Sequence, residues 1–303
     1  MNFKKFAILP LVSLMFAACS DSSSTSAEQA PVDPTLSSSS EVIDPALSSS
    51  ELPPEISSSS VDIPSAVIPG IPLTEADYDS VGVVPLVRAL QSVSSDEKVV
   101  IVLRHAERES GSGHETPLTD NGTLQAQLVG ASLPASMTFT YSHTDYLRTE
   151  QTALNIALGH GQDITTLAHD TILEVKGGWF VKDADLKDSY ATKDTNSYGV
   201  LSLWVYEGLF ADAFYDLNEK AQEMVNTVLV KNYADMEPAR IIISHDDFVV
   251  PMMAAISDKK ADFRYKRARY WWCNYLVGFV VVVNSNNEVR AIPVKGLESA
   301  VEG

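Results

Sequence analysis

The sequence predicts one α/β domain built on a mainly parallel sheet, behind a long N-terminal stretch with no core of its own. Three observations carry this reading. Short apolar runs rich in β-branched residues (99–103, 137–142, 240–244) alternate with stretches whose apolar residues recur at helical spacing. Each run stops at a polar or charged cluster, as strands do where a sheet edge meets its loops. Residues 20 to about 75 are low in complexity, dominated by Ser, Pro and acids, and cannot bury enough apolar surface to offset their ordering entropy.

In chain order, Lys4 and Lys5 precede an apolar run from Phe6 to Ala18. A charged start, a short apolar stretch and small residues before a cleavage point predict a secretory signal peptide over residues 1–18. Ala17-Ala18-Cys19 resembles a bacterial lipoprotein signal. The resemblance implies that Cys19 is lipidated and that a lipid bilayer is a partner. Ser20 after it resembles an outer-membrane sorting signal, which implies an exported, lipid-anchored protein of a bacterial envelope.

Residues 19–74 are expected to be a disordered linker. Leu36, Leu47 and Ile56 each precede a serine block, but the spacing is irregular and excludes a folded solenoid. As a flexible coil of about 55 residues it would span about 40 Å, enough to stand a catalytic domain off a membrane.

Residues 75–303 have globular composition. Tyr78 to Val93 predicts an opening helix, and Val99–Leu103 a strand. Ser110 to Glu115 is a glycine-rich loop. Thr119 is a helix N-cap, with Leu124, Leu128 and Leu133 on one face of the helix that follows. A second strand, Met137–Ser142, ends in His143 and Asp145, and a helix begins near Leu147. Thr165–Leu173 holds a strand leading to Glu174. Gly177–Asp212 reads as an irregular, aromatic-bearing insertion, and Ala211–Val230 as a long amphipathic helix. Arg240–Ser244 is a third strand, ending at His245-Asp246, with a helix over Phe248–Ile256. Leu276–Val283 and Val289–Val294 form a final strand pair.

The formal net charge of the 303-residue chain is −18, yet residues 20–80 carry eleven acids and no Lys or Arg, so much of the excess sits in the linker. A moderately acidic domain excludes a general nucleic-acid binder, which needs a basic face. It also requires local positive charge wherever an anionic substrate binds. The run Lys259, Lys260, Arg264, Lys266, Arg267, Arg269 reads as a solvated face able to steer such a substrate. With Cys19 lipidated, Cys273 lacks a disulfide partner and reads as a buried filler. The oligomeric state is not legible.

Three strand ends carry the chemistry: Arg104-His105, Ser142 with Arg148 following, and His245-Asp246. In a parallel sheet such ends share one edge. Guanidinium forks match phosphate oxygens, and one opposite-charge contact at 4 Å is worth roughly 4 kcal/mol at an effective dielectric of 20. A neutral imidazole among them is a competent nucleophile toward phosphorus.

Four segments in order resemble the histidine phosphatase superfamily, the phosphoglycerate-mutase-like proteins. Arg104-His105-Ala106-Glu107 resembles its first signature, and Leu118 to Ala126 (LTDNGTLQA) a helix start. Ser142 to Ala153 (SHTDYLRTEQTA) resembles the arginine-bearing helix, and Ile243 to Phe248 (ISHDDF) the second histidine motif. The resemblance covers about Val99 to Val294 and implies a three-layer α/β/α fold of that type. It implies His105 as the phosphorylated nucleophile, Arg104, Arg148 and His245 as phosphoryl ligands, and no metal or other cofactor. Arg108 and Asp246 match the acid-phosphatase branch, whereas Glu174 matches the general acid of the mutase-like branch. Asp246 is favoured as general acid because the strand itself places it beside His245. Glu107 is read as orienting neighbours or facing solvent. His114, His143, His160 and His169 are read as structural, with no metal spacing among the histidines.

The expected activity is metal-independent hydrolysis of a small phosphorylated substrate through a phosphohistidine. A phosphomutase, or a surface-binding lipoprotein without turnover, are the alternatives.

Overall fold

The computed structural model describes residues 67–192, 195–266 and 272–302. The expected signal peptide, Cys19 and the linker up to residue 66 lie outside the described residues, as do Arg267 and Arg269.

The elements in chain order are β1 (Val84–Pro85), α1 (Leu86–Gln91), β2 (Lys98–Arg104), α2 (Asp120–Ser132), β3 (Thr140–His143), α3 (Leu147–Gly159) and β4 (His169–Thr171). They continue with α4 (Ala184–Ser189), α5 (Ser197–Glu207), α6 (Leu217–Met224), β5 (Ala239–Ser244), α7 (Asp246–Ile256), β6 (Trp272–Cys273), β7 (Val277–Val283), β8 (Val289–Lys295) and β9 (Val301–Glu302). Seven strands form one sheet in the order β1-β8-β7-β2-β5-β3-β4. The β2–β5, β5–β3, β3–β4 and β1–β8 pairings are parallel, and only β7 runs against its neighbours β2 and β8. This is the mixed, mostly parallel α/β sheet that the alternating pattern predicts.

The β2 run is apolar at successive positions because both faces are covered. Val99, Ile101 and Leu103 pack with α1, α2 and α3 residues, while Val100 and Val102 pack on the other face with α5, α6 and α7. Each such fully buried side chain stabilises the fold by about 1.5–3 kcal/mol relative to exposure. The alternation also decides where the polar end goes. Arg104 continues the even-numbered face, toward α7.

Several elements differ from their sequence expectations. The opening helix shrinks to α1, because Val84-Pro85 pair with Val294-Lys295 as an edge strand. Residues 68–72 lie against it, with Ile71 N–H donating to Gln91 C=O and Ser95 N–H to Ile68 C=O. The Gly177–Asp212 region is largely helical rather than irregular, comprising α4 and α5, and its Trp204 stacks on Phe214 at 4.3 Å as packing. The long amphipathic helix is cut to α6, which runs into a π-helical turn over Val225–Leu229.

Of the expected apolar face of α2, Leu133 at its C-cap is buried but the two leucines within the helix point outward. Leu124 and Leu128 are 54% and 60% exposed, whereas Gly122, Ala126, Val129 and Gly130 are buried. Small residues win because α2 and α3 touch backbone to backbone. A Cβ on Gly130 would lie 2.0 Å from Ile156 C=O, and one on Gly159 would lie 2.0 Å from Gln127 C=O.

Candidate active site

The strand order builds the site. β5 lies between β2 and β3, with Arg104 in register with Ser244 and His143 with Ile243. The three C-terminal ends therefore meet at one edge, and His105 N–H donates to Ser244 C=O at 2.9 Å. Immediately beyond, α7 begins at Asp246 with His245 as its N-cap residue, and α3 brings Arg148 in its first turn. Arg104, His105, Arg148, His245 and Asp246 are all at most 9% exposed.

His105 and His245 lie edge to face, ring centres 5.5 Å apart. His105 Nδ1 is 2.8 Å from the carbonyl oxygen of Ala106. A carbonyl only accepts, so Nδ1 carries the proton and Nε2 the lone pair. Burial, then the charge of Arg104 and the proximity of His245, push the His105 pKa well below its usual range, so the ring is neutral.

His245 is pushed down to about 3, by burial first and Arg148 second. Its Nε2 shares a hydrogen bond with Thr144 Oγ1 at 2.9 Å, and its Nδ1 faces Arg148 Nη2 at 3.5 Å. Arg148 also donates to Gly113 C=O at 3.0 Å and lies 4.1 Å over the Tyr146 ring. Burial and the nearby charge of Arg108 lower its pKa, and its buried Nε has no hydrogen-bond partner among the described residues. A cation held in this way, with a donor to spare, favours an anion.

Arg104 donates to Cys273 C=O at 2.5 Å, lies 4.3 Å under the Tyr275 ring and pairs with Asp246 at 3.2 Å. Leu276, at φ 57°, turns the chain into this position and donates its N–H to Arg104 C=O. Asp246 also accepts from Trp272 Nε1 at 3.1 Å. Burial alone would raise the Asp246 pKa, but the Arg104 charge and the Trp272 bond outweigh it and the net shift is downward.

The other expected residues sit further out. Arg108 is half-buried and donates to Glu109 C=O and Gly111 C=O of its own loop. Glu174 is exposed and makes no hydrogen bond or ion pair with these groups among the described residues. Glu107 ties the Arg104-His105 loop to the start of α2, accepting from Thr119 Oγ1 at 3.1 Å and Asn121 Nδ2 at 2.6 Å. His160 bonds Met137 C=O, and the exposed His114 ring stacks on Tyr146. His143 and His169 contact each other at 2.9 Å.

Four contributors were not anticipated. Thr144 bonds His245, and Thr152 Oγ1 accepts from Ala106 N–H at 3.0 Å. Trp272 holds Asp246, and Lys176, paired with Asp145, adds a half-buried cation beside the Tyr146 ring. The two threonines lie inside the arginine-helix motif, where a hydroxyl facing a strand end was the available signal.

With this geometry in place, the model of the histidine phosphatase superfamily (branch 1) matches residues 100–269, more than half of the chain. The protein belongs to the histidine phosphatase superfamily. No curated protein sequence matches it. Solved structures similar to this superfamily member include phosphoglycerate mutase from Bacillus anthracis, at 12% identity and TM-score 0.42, covering 64% of this chain and 91% of that one. Mycobacterial glucosyl-3-phosphoglycerate phosphatase matches at 13% identity and TM-score 0.39, covering 65% and 97%. The α-ribazole phosphatase from Shigella flexneri matches at 17% identity and TM-score 0.39, covering 66% and 100%.

Proposed function

We propose that this superfamily member is a phosphomonoester hydrolase that works through a phosphohistidine on His105, without a metal in the reaction. The observation that carries the reading is the His105 tautomer. Its Nδ1–H is given to Ala106 C=O, which leaves a neutral Nε2 lone pair among Arg104, Arg148 and His245.

Arg104 and Arg148 bind the phosphoryl oxygens, and His245 joins them as the bound dianion favours its protonated form. Nε2 of His105 attacks phosphorus, the N–P bond forms, and the P–O bond to the leaving group breaks. Asp246 gives its proton to the departing alkoxide. Asp246 is ionised in the free protein, but a dianion that engages Arg104 weakens its ion pair and adds negative charge beside it. Both effects raise its affinity for a proton. In the second step water attacks phosphorus, the N–P bond breaks, and Asp246 takes the water's proton.

Hydrolysis is preferred to mutase chemistry because residues 1–18, Cys19 and the linker to residue 74 read as an export signal, a lipid anchor and a tether. The substrate would then be a small phosphorylated molecule outside the cytoplasm. A test is phosphate release from p-nitrophenyl phosphate by the full chain between pH 4 and 7.5. Release by the wild type and none by His105→Ala supports the reading, and equal release by both rejects it. Labelling of the cells with a fatty-acid probe tests the anchor, since Cys19→Ala should abolish the label.

A further inference from the structure

The geometry points to a second, independent site: we infer that His143, His169 and Glu150 bind a divalent transition ion of the zinc type. Their ligating atoms all lie within 4.8 Å of one another. None of the three belongs to the phosphate-binding set.

The fold brings them together from three elements. β3 and β4 are parallel, with Tyr141 in register with His169 and His143 with Thr171. Strand alternation puts Tyr141, His143, His169 and Thr171 on one face, and Tyr141 packs there with Ala153 and Ile156 of α3. Glu150, in the first turn of that helix, completes the group. Sequence spacing gave no hint of this, because positions 143, 150 and 169 follow no short ligand pattern.

The chemistry of the donors fits. His143 Nδ1 lies 2.7 Å from the carbonyl oxygen of Thr144, so it carries the proton and Nε2 is a lone pair. Donation of the remote ring N–H to a carbonyl is how ligand histidines are usually oriented. That Nε2 faces His169 Nδ1 at 2.9 Å, where His169 donates in the absence of an ion. If His169 moves its proton to Nε2, both nitrogens present lone pairs with no net proton change. Zinc–nitrogen bonds of about 2.05 Å at a tetrahedral angle need the two nitrogens about 3.3 Å apart, so the pair opens by about 0.4 Å. The Glu150 carboxylate makes no hydrogen bond or ion pair among the described residues and supplies the anionic ligand. Three protein ligands and one water make a four-coordinate site. His169 is exposed, which gives a hydrated ion access.

The test is a competition titration of Zn²⁺ against a chromophoric chelator, using the full chain after chelator treatment and desalting. The expected result is one equivalent bound, with affinity weakened more than about tenfold by either His169→Ala or Glu150→Gln. Both positions are at least partly solvent-accessible, so the variants should fold, and unchanged melting without metal checks this. Co²⁺ should give the intense visible bands of a four-coordinate ion in the wild type and lose them in His169→Ala. No binding by the wild type overturns the inference. So does affinity unchanged in both variants, or affinity lost only in His105→Ala, which would put the ion in the phosphate site.

Discussion

Arg104 and Asp246 hold each other across the seam between β2 and the start of α7, Nη2 to Oδ2 at 3.2 Å, with 6% and 12% of their side chains exposed. The pair orients one proposed phosphate ligand and restrains the proposed general acid until an anion arrives. It also makes the fold depend on both partners. Arg104→Ala should cost about 3–5 kcal/mol at pH 7, because it strands a buried carboxylate. In the wild type the depressed Asp246 pKa contributes stability that is present above the unfolded value and lost as pH falls through the folded one. Without Arg104, burial is largely unopposed and the pKa rises, so the variant's penalty should shrink on acidification. Denaturant titrations at pH 7 and pH 4 should show a narrower gap at pH 4. An equal gap would count against this electrostatic account.

The acid assignment separates by leaving group. Asp246→Asn should slow hydrolysis of alkyl phosphates by about 10²–10⁴-fold and of p-nitrophenyl phosphate much less, because a good leaving group needs no proton. Glu174→Gln should stay near wild type on both substrates. Reversal of the two results would move the role to Glu174.

Arg148→Ala should lower kcat/KM by about 10²–10³-fold, the usual loss when one donor to a developing oxyanion is removed. Arg148→Lys should recover only part of this, since an ammonium replaces charge but not the fork. Full recovery by lysine would show that only its charge matters.

The buried His245 sets a pH dependence of the opposite origin. Its folded pKa near 3 lies below that of the unfolded chain, so protons bind the unfolded state preferentially between about pH 6.5 and 3. Stability falls as pH falls through that window. His245→Asn should make melting temperature less dependent on pH there, and an unaltered slope would contradict the shift.

Gly130→Ala tests the contact between α2 and α3. The added methyl meets Ile156 C=O at 2.0 Å, and forcing the helices apart should cost about 1–3 kcal/mol. For a domain of this size that is about 2–4 °C in Tm per kcal/mol. Stabilisation instead would mean that helix propensity outweighs the contact.

Legibility followed locality. The strands β2 and β5 are readable because runs such as Val99–Leu103 are apolar on both faces, β3 because Phe139 and Tyr141 alternate with polar residues, and the motifs at their ends name Arg104, His105, Arg148 and His245. The strand order was not readable. Only the insertion of β5 between β2 and β3 brings His105 beside His245. The α2 face misled because Leu124 and Leu128 satisfy helical spacing, while close backbone approach selects Gly130 and Ala126 instead. Trp272, from β6, and Lys176, from the loop before α4, reach the site from distant parts of the chain, and the group formed by His143, Glu150 and His169 exists only once β3, α3 and β4 are packed.

Covalent transfer to His105 is the step on which the proposed activity rests. Brief reaction with a ³²P-labelled phosphomonoester, quenched in alkali, should leave label on the peptide containing His105. That label should survive base, be lost in mild acid, and be absent from His105→Ala. Turnover with no covalent label, or label carried by another residue, would contradict the account.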